Sequence, residues 1–152
     1  MSATAAPKVT TPADVTTRIE PMLAGRGVLI VEDDLPNQDL MRVVVEDLLG
    51  GRATISMDGE AAVQHALDHP PALILLDLML PGLSGWEVAR RLRQNPDTQN
   101  TPIIAVSALA RPQERASAFH AGCDAYVAKP FTPDDLARVV AATMADAGAL
   151  SR

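Results

Sequence analysis

The chain has 152 residues, 47 % hydrophobic and 21 % charged, with a net charge of −6. That suffices for one domain with a proper core and not for two ordinary ones, and the acidic balance argues against a surface built to grip nucleic-acid phosphates. A sole cysteine, Cys123, excludes an internal disulfide and reads as a small core residue; with no bilayer-length apolar run and no secretory signal, the expected location is the cytoplasm, away from membranes.

In chain order, residues 1–24 are rich in Ala, Thr and Pro without an apolar period and read as a tail or linker. Within them Thr11-Pro12-Ala13-Asp14 has the form of a helix start. The first apolar run is Val28–Val31. Leu40, Val44 and Leu48 then fall four apart, with Met41, Val45 and Leu49 beside them, which predicts a helix stopped by Gly50-Gly51. The run Ala53–Met57 predicts a second strand, and Asp58-Gly59 opens a helix through Val63 and Leu67 that ends at Pro70-Pro71. Leu73–Leu76 is the third run. Ser84-Gly85-Trp86-Glu87 predicts a reciprocal capping box for the third helix. Ile103–Val106 predicts a fourth strand, Pro112 to Gly122 a fourth helix, and Ala125–Ala128 a fifth strand. Thr132-Pro133-Asp134-Asp135 caps a last helix whose Leu136, Val139, Val140 and Met144 share a face. Three of the five runs are continuously apolar, as strands are when helices cover both faces of a parallel sheet. The expectation is one α/β domain over residues 25–146, a doubly wound five-stranded parallel sheet with helices on both faces, followed by a tail over 147–152.

Ligands of such sheets sit beyond the carboxyl ends of the strands. There the first run is followed by Glu32, Asp33 and Asp34, the third by Asp77, the fourth by Ser107 and the fifth by Lys129-Pro130. Several carboxylates crowded together raise one another's pKa unless a cation neutralises them. Oxygen-only ligands suit Mg²⁺ better than zinc, which prefers His or Cys. A carboxylate held by Mg²⁺ and facing a lysine is a good nucleophile toward a phosphoryl donor, because metal and ammonium neutralise the transferring oxygens.

The segments VLIVEDD (Val28 to Asp34), LILLDLMLPGLSG (Leu73 to Gly85), PIIAVSA (Pro102 to Ala108) and DAYVAKPF (Asp124 to Phe131) closely resemble the receiver domain of bacterial two-component response regulators, of the stand-alone chemotaxis or cell-cycle type. The resemblance implies a flavodoxin-like fold, a phosphorylated Asp77, and a Mg²⁺ ion held by Asp33, Asp77 and the backbone carbonyl of Met79, with Glu32 acting through water. It implies that Lys129 pairs with the phosphoryl oxygens, that Ser107 moves to bind the phosphoryl group, and that Tyr126 is an aromatic switch residue turning inward. It also implies a cis peptide at Lys129-Pro130, and an output face made by the fourth helix, fifth strand and fifth helix. Met79 and Leu109, apolar at the two positions that flank the phosphoryl group, imply slow loss of the phosphoryl group. The partners implied are a histidine kinase or histidine phosphotransfer protein and a downstream protein target.

With no output domain expected after Met144, the function read is that of a signalling switch or phosphorelay intermediate rather than an enzyme. A phosphatase of the haloacid dehalogenase type would need a second Asp where Met79 stands. A degenerate receiver acting only as an interaction scaffold is the other alternative. His65, His69 and His120 read as surface or half-buried residues, Trp86 as packing, and the cluster Arg90, Arg91 and Arg93 as a solvated helix face.

Overall fold

The computed structural model describes residues 23–109 and 111–150, with side chains as far as Gly148. The helix start at Thr11–Asp14 lies outside the described residues. The elements are β1 (Gly27–Val31), α1 (Leu35–Arg42, continuing as π-helical turns over Val43–Leu48), β2 (Arg52–Ser56), α2 (Gly59–Asp68), β3 (Leu73–Leu76), α3 (Gly85–Arg93), β4 (Ile103–Ser107), α4 (Pro112–Ala121), β5 (Ala125–Ala128) and α5 (Pro133–Leu150). All strand pairs are parallel, in the order β2-β1-β3-β4-β5. This is the expected doubly wound, flavodoxin-like sheet.

Burial explains which runs look purely apolar. β3 and β4 are buried at every residue and β1 at all but Gly27, whereas the edge strands β2 and β5 keep partly exposed positions. Neighbouring residues on a strand point to opposite faces. Val28, Ile30, Leu73, Leu75, Ile104 and Val106 therefore pack with α1 and α5, while Leu29, Val31, Ile74, Leu76, Ile103 and Ala105 pack under α2, α3 and α4.

Several boundaries differ from the sequence reading, each for a local reason. Leu23, expected in the tail, is fully buried in the α1/α5 core, where it packs so tightly on Gly51 that a β-carbon there would lie 2.8 Å from its Cδ1. α5 runs on to Leu150, into the stretch expected as a C-terminal tail, since its alanines favour helix. The helix after β1 widens at its valine run: Leu49 N–H bonds the Val44 carbonyl at 3.0 Å, five residues back, and Val44, Val45 and Leu49 are all fully buried. The predicted box at α3 is half made. Ser84 Oγ accepts the Glu87 N–H at 3.3 Å, but the Glu87 carboxylate turns to Arg90 and Arg91. The full reciprocal box stands at α5, where Thr132 Oγ1 accepts from Asp135 N–H and Asp135 Oδ2 accepts from Thr132 N–H, both at 3.0 Å.

Candidate functional site

The parallel ladder extends one residue past β1 and β3: Glu32 N–H donates to Ser56 O at 3.0 Å and Asp77 N–H to Val31 O at 2.9 Å. These bonds lock two carboxylate-bearing residues side by side at the carboxyl edge of the sheet. The three acids after β1 then part company. Asp34 turns away to cap α1, accepting the Asn37 N–H at 3.1 Å. Asp33 is exposed and Glu32 is fully buried. Carboxylate oxygens of Glu32, Asp33 and Asp77 lie within 4.8 Å of one another, a grouping of hard oxygen ligands.

Asp77 is 5 % exposed, more enclosed than a residue facing outward at the sheet edge would be. Its Oδ1 accepts the Met79 N–H at 3.0 Å, and its Oδ2 lies 3.1 Å from Lys129 Nζ. The same ammonium donates to Glu32 Oε1 at 2.7 Å. Burial pushes the Glu32 carboxyl up in pKa, an effect that the Lys129 and Asp34 N–H bonds oppose and the Asp77 charge reinforces. For Lys129 burial is the largest single influence and favours the neutral amine, but the hydrogen bonds and charges of Glu32 and Asp77 together outweigh it and hold the pKa above its ordinary value. The peptide between Lys129 and Pro130 is cis.

Ser107, at the end of β4, is fully buried, with its Oγ accepting the Leu109 N–H at 3.2 Å and its carbonyl accepting the Lys129 N–H at 2.9 Å. The Tyr126 hydroxyl is already buried and makes no hydrogen bond of ordinary geometry among the described residues. Its phenol pKa is raised by burial, with the nearby Ser107 and Arg115 offsetting part of the rise. The Arg115 guanidinium lies over the ring, 5.1 Å from its centre. The structure thus brings Glu32, Asp33, Asp77, Met79, Ser107 and Lys129 to one mouth, with Tyr126 behind Ser107. His65 is half-buried, and His69 and His120 are exposed. Trp86 is half-buried against the core, and its indole N–H is buried without a partner among the described residues.

Two residues of this region escaped the sequence reading. Gln38, buried on α1, donates from Nε2 to the Glu32 carbonyl at 2.8 Å. Gly85 lets α3 abut the backbone of Asp77: a β-carbon there would lie 2.4 Å from the Asp77 carbonyl oxygen. The motif GLSG hinted at the second, but nothing in the periodicity marked Gln38, whose immediate neighbours Asn37 and Asp39 are polar.

A parallel five-stranded sheet carrying an acidic cluster, a strand-end hydroxyl and a half-buried lysine at its carboxyl edge defines the class of doubly wound, receiver-like α/β domains. The chain belongs to the response regulator receiver domain family, whose pattern matches residues 28–141. It is 34 % identical over 123 residues to the polar-differentiation response regulator DivK of Brucella anthropi, covering 80 % of this chain and 98 % of that protein. It is 36 % identical over 114 residues to the phosphate regulon transcriptional regulatory protein PhoB of Pseudomonas aeruginosa, covering 75 % of this chain and 49 % of that protein. The chain thus spans about half the length of the PhoB relatives it matches. Among solved structures, the receiver domain of sensor histidine kinase PA1611 from Pseudomonas aeruginosa PAO1 superimposes with a TM-score of 0.73 at 34 % identity, over 80 % of this chain and 98 % of that one. That neighbour is described with a magnesium ion coordinated in its active site cleft. Among the described residues no helix is long and apolar enough to cross a membrane.

Proposed function

We propose that the chain is a phosphoacceptor switch: Asp77 takes a phosphoryl group from a histidine kinase or histidine phosphotransfer protein in the cytoplasm, and the altered surface signals to a protein target or passes the group on. The observation that carries this reading is the meeting of three carboxylates within 4.8 Å, one of them 3.1 Å from a lysine ammonium. An Asp77 oxygen forms a bond to phosphorus as the donor's phosphorus–nitrogen bond breaks, and the electron pair returns to the departing imidazole. Asp77 is oriented for this by the Met79 N–H on one oxygen and Lys129 on the other. Lys129 meets the charge on the arriving phosphoryl oxygens. Asp33, Asp77 and the Met79 carbonyl would hold Mg²⁺, whose charge neutralises the same oxygens when bound.

Ser107, whose Oγ accepts the Leu109 N–H, keeps its own O–H to donate to a phosphoryl oxygen, and Tyr126 behind it would register a movement of this residue. The role is that of a signalling domain whose only chemistry is its own phosphorylation and slow dephosphorylation. Incubation with acetyl phosphate and Mg²⁺, followed by intact mass, tests it. The wild type should gain one phosphoryl group, and Asp77→Asn or added chelator should abolish the gain. An undiminished phosphorylated species in either case overturns the assignment. A wild type that never labels would leave the scaffold reading in its place.

A further inference from the structure

We infer that His65 and His69 form a two-imidazole site for a divalent transition-metal ion such as Zn²⁺, at the amino edge of the sheet and apart from the acidic mouth. The two residues stand four apart at the end of α2, and so on one side of the helix. The His69 N–H donates to the His65 carbonyl at 2.8 Å, which ties the two together although the His69 backbone has already left the helix. Their rings are close neighbours, with centroids 5.4 Å apart and planes inclined by 45°. Two imidazoles sharing one tetrahedral ion, each with a nitrogen about 2.1 Å from it, have their centroids roughly 5 Å apart. The pair therefore stands within about half an ångström of the spacing that chelation needs.

Both histidines line one cavity of about 320 Å³. It runs along the amino half of the first two strands, where Gly27 pairs with Arg52 and Leu29 with Thr54, and Pro70 and Pro71 close it beyond the helix. That space accommodates the waters that would fill the remaining coordination positions. Imidazole nitrogen suits zinc, copper and nickel, whereas Mg²⁺ prefers carboxylate oxygen. The two edges of the sheet thus sort cations by ligand chemistry, with the carboxylates of Glu32, Asp33 and Asp77 at one and paired nitrogens at the other. Asp68, next to His69, is bonded to Gln64 at 3.0 Å and does not line the cavity. The protein therefore supplies two ligands, and the affinity falls well short of a closed four-ligand structural site. Among the described residues, Arg52 is the one permanently charged side chain on the cavity wall. It is exposed, and its Nε is bonded to the Gly25 carbonyl at 2.6 Å, so water and salt screen its repulsion of the ion.

The chain has three histidines, His65, His69 and His120, so NMR of ¹⁵N-labelled imidazoles gives three sets of ring signals, with exposed His120 on α4 as an internal control. ZnCl₂ is titrated into the full chain with MgCl₂ held in excess, so that Mg²⁺ competes for the acidic mouth. The ring nitrogens of His65 and His69 should shift together, at a Zn²⁺ concentration at least about tenfold below the one that moves His120, because the second ligand binds intramolecularly. His65→Gln and His69→Gln, made singly, should each cost the remaining ring that advantage. Equal responses from all three histidines overturn the inference, as does Zn²⁺ taken up at the acidic mouth alone. It fails equally if His65 keeps its full response in the His69→Gln protein. The comparison with His120 is made within the wild type, so a poorly folded variant does not shelter the idea. No step uses phosphorylation, so the outcome is independent of the proposed function.

Discussion

The contact between α3 and the backbone of Asp77, the proposed phosphoacceptor, offers the sharpest test of how the fold sets the chemistry. Gly85 is the first residue of α3, and its N–H donates to the Leu78 carbonyl at 3.0 Å. A β-carbon built on it would lie 2.4 Å from the Asp77 carbonyl oxygen and 2.5 Å from Leu78 Cα. Both obstacles are backbone and cannot rotate aside. Since real β-carbons stay beyond 3.0 Å, Gly85→Ala must push the helix start and the Asp77–Leu78 peptide apart by about 0.6–1 Å. Misplacement on that scale costs up to about 100-fold in rate, so labelling by acetyl phosphate should slow by about 10- to 100-fold. In an open helical position the same change would gain up to about 1 kcal/mol of helix propensity; here it must instead be absorbed by strain. Gly148→Ala, on α5 with nothing within 4 Å of the added carbon, serves as the control and should label at the wild-type rate. The assay is the initial rate by intact mass at fixed Mg²⁺, with circular dichroism to confirm folding. A folded Gly85→Ala protein that labels within about twofold of wild type refutes the reasoning.

Four further outcomes are expected. Arg93→Ala should lower stability in urea by about 2–3 kcal/mol, because its guanidinium bonds the carbonyls of Gly122 (3.0 Å), Thr98 (3.3 Å) and Thr101 (2.7 Å) and pairs with Asp124 (2.9 Å); a loss below about 0.5 kcal/mol would show that water replaces these bonds freely. Burial pushes the Cys123 thiol from 9.0 to about 12, so the folded state holds its proton longer than the unfolded one. Stability should be unaffected by this group below pH 9.0 and should fall as pH rises toward about 12, a slope that Cys123→Ala flattens in urea titrations at successive pH values. Met79, 57 % exposed, and partly buried Leu109 cannot orient a hydrolytic water, so the phosphorylated protein should decay slowly and Met79→Asn with Leu109→Glu should speed it; fast wild-type decay would contradict this. Tyr126→Phe removes a buried hydroxyl that finds no partner among the described residues and should raise the melting temperature of the resting protein, while shrinking the amide shifts that beryllofluoride, a phosphoryl mimic, produces across residues 111–128; undiminished shifts would take Tyr126 out of the switch.

The fold was legible because the apolar content of each run reflects its place in the sheet. β1, β3 and β4 lie inside and read as unbroken apolar runs, and the polar residue after each marks the carboxyl edge. The candidate site was legible for the same reason: a parallel sheet gathers at one edge the residues that come directly after its strands. The features that stayed hidden depend on distance along the chain. Glu32 and Lys129 are 97 residues apart, and no periodicity says which carboxylate a distant lysine will choose. Arg93 was hidden among its neighbours. Arg90 and Arg91 form exposed pairs with Glu87 and Glu60, as a solvated face should, whereas Arg93 on the next turn is partly buried and ties α3 to the loops on either side of β4 and α4. Identical residue types in one short cluster thus divide by the side of the helix they occupy.

The Tyr126 hydroxyl, buried and without a partner among the described residues, points to a source of energy for a switch. A buried donor without a partner costs about 1–3 kcal/mol, and the fold retains this one near Ser107, whose Oγ accepts the Leu109 N–H. A phosphoryl oxygen on Asp77 would offer the Ser107 O–H a charged acceptor. Drawing Ser107 away from Leu109 alters the surroundings of the phenol at the same moment, and any arrangement that gives the phenol an acceptor recovers the stored cost. Recovery of about 1–3 kcal/mol shifts an equilibrium by about 5- to 150-fold, the scale of measured allosteric couplings. Arg115, stacked over the Tyr126 ring, lies on exposed α4. The change would thus reach the surface through one cation–aromatic contact, without requiring the fully buried strands β3 and β4 to move.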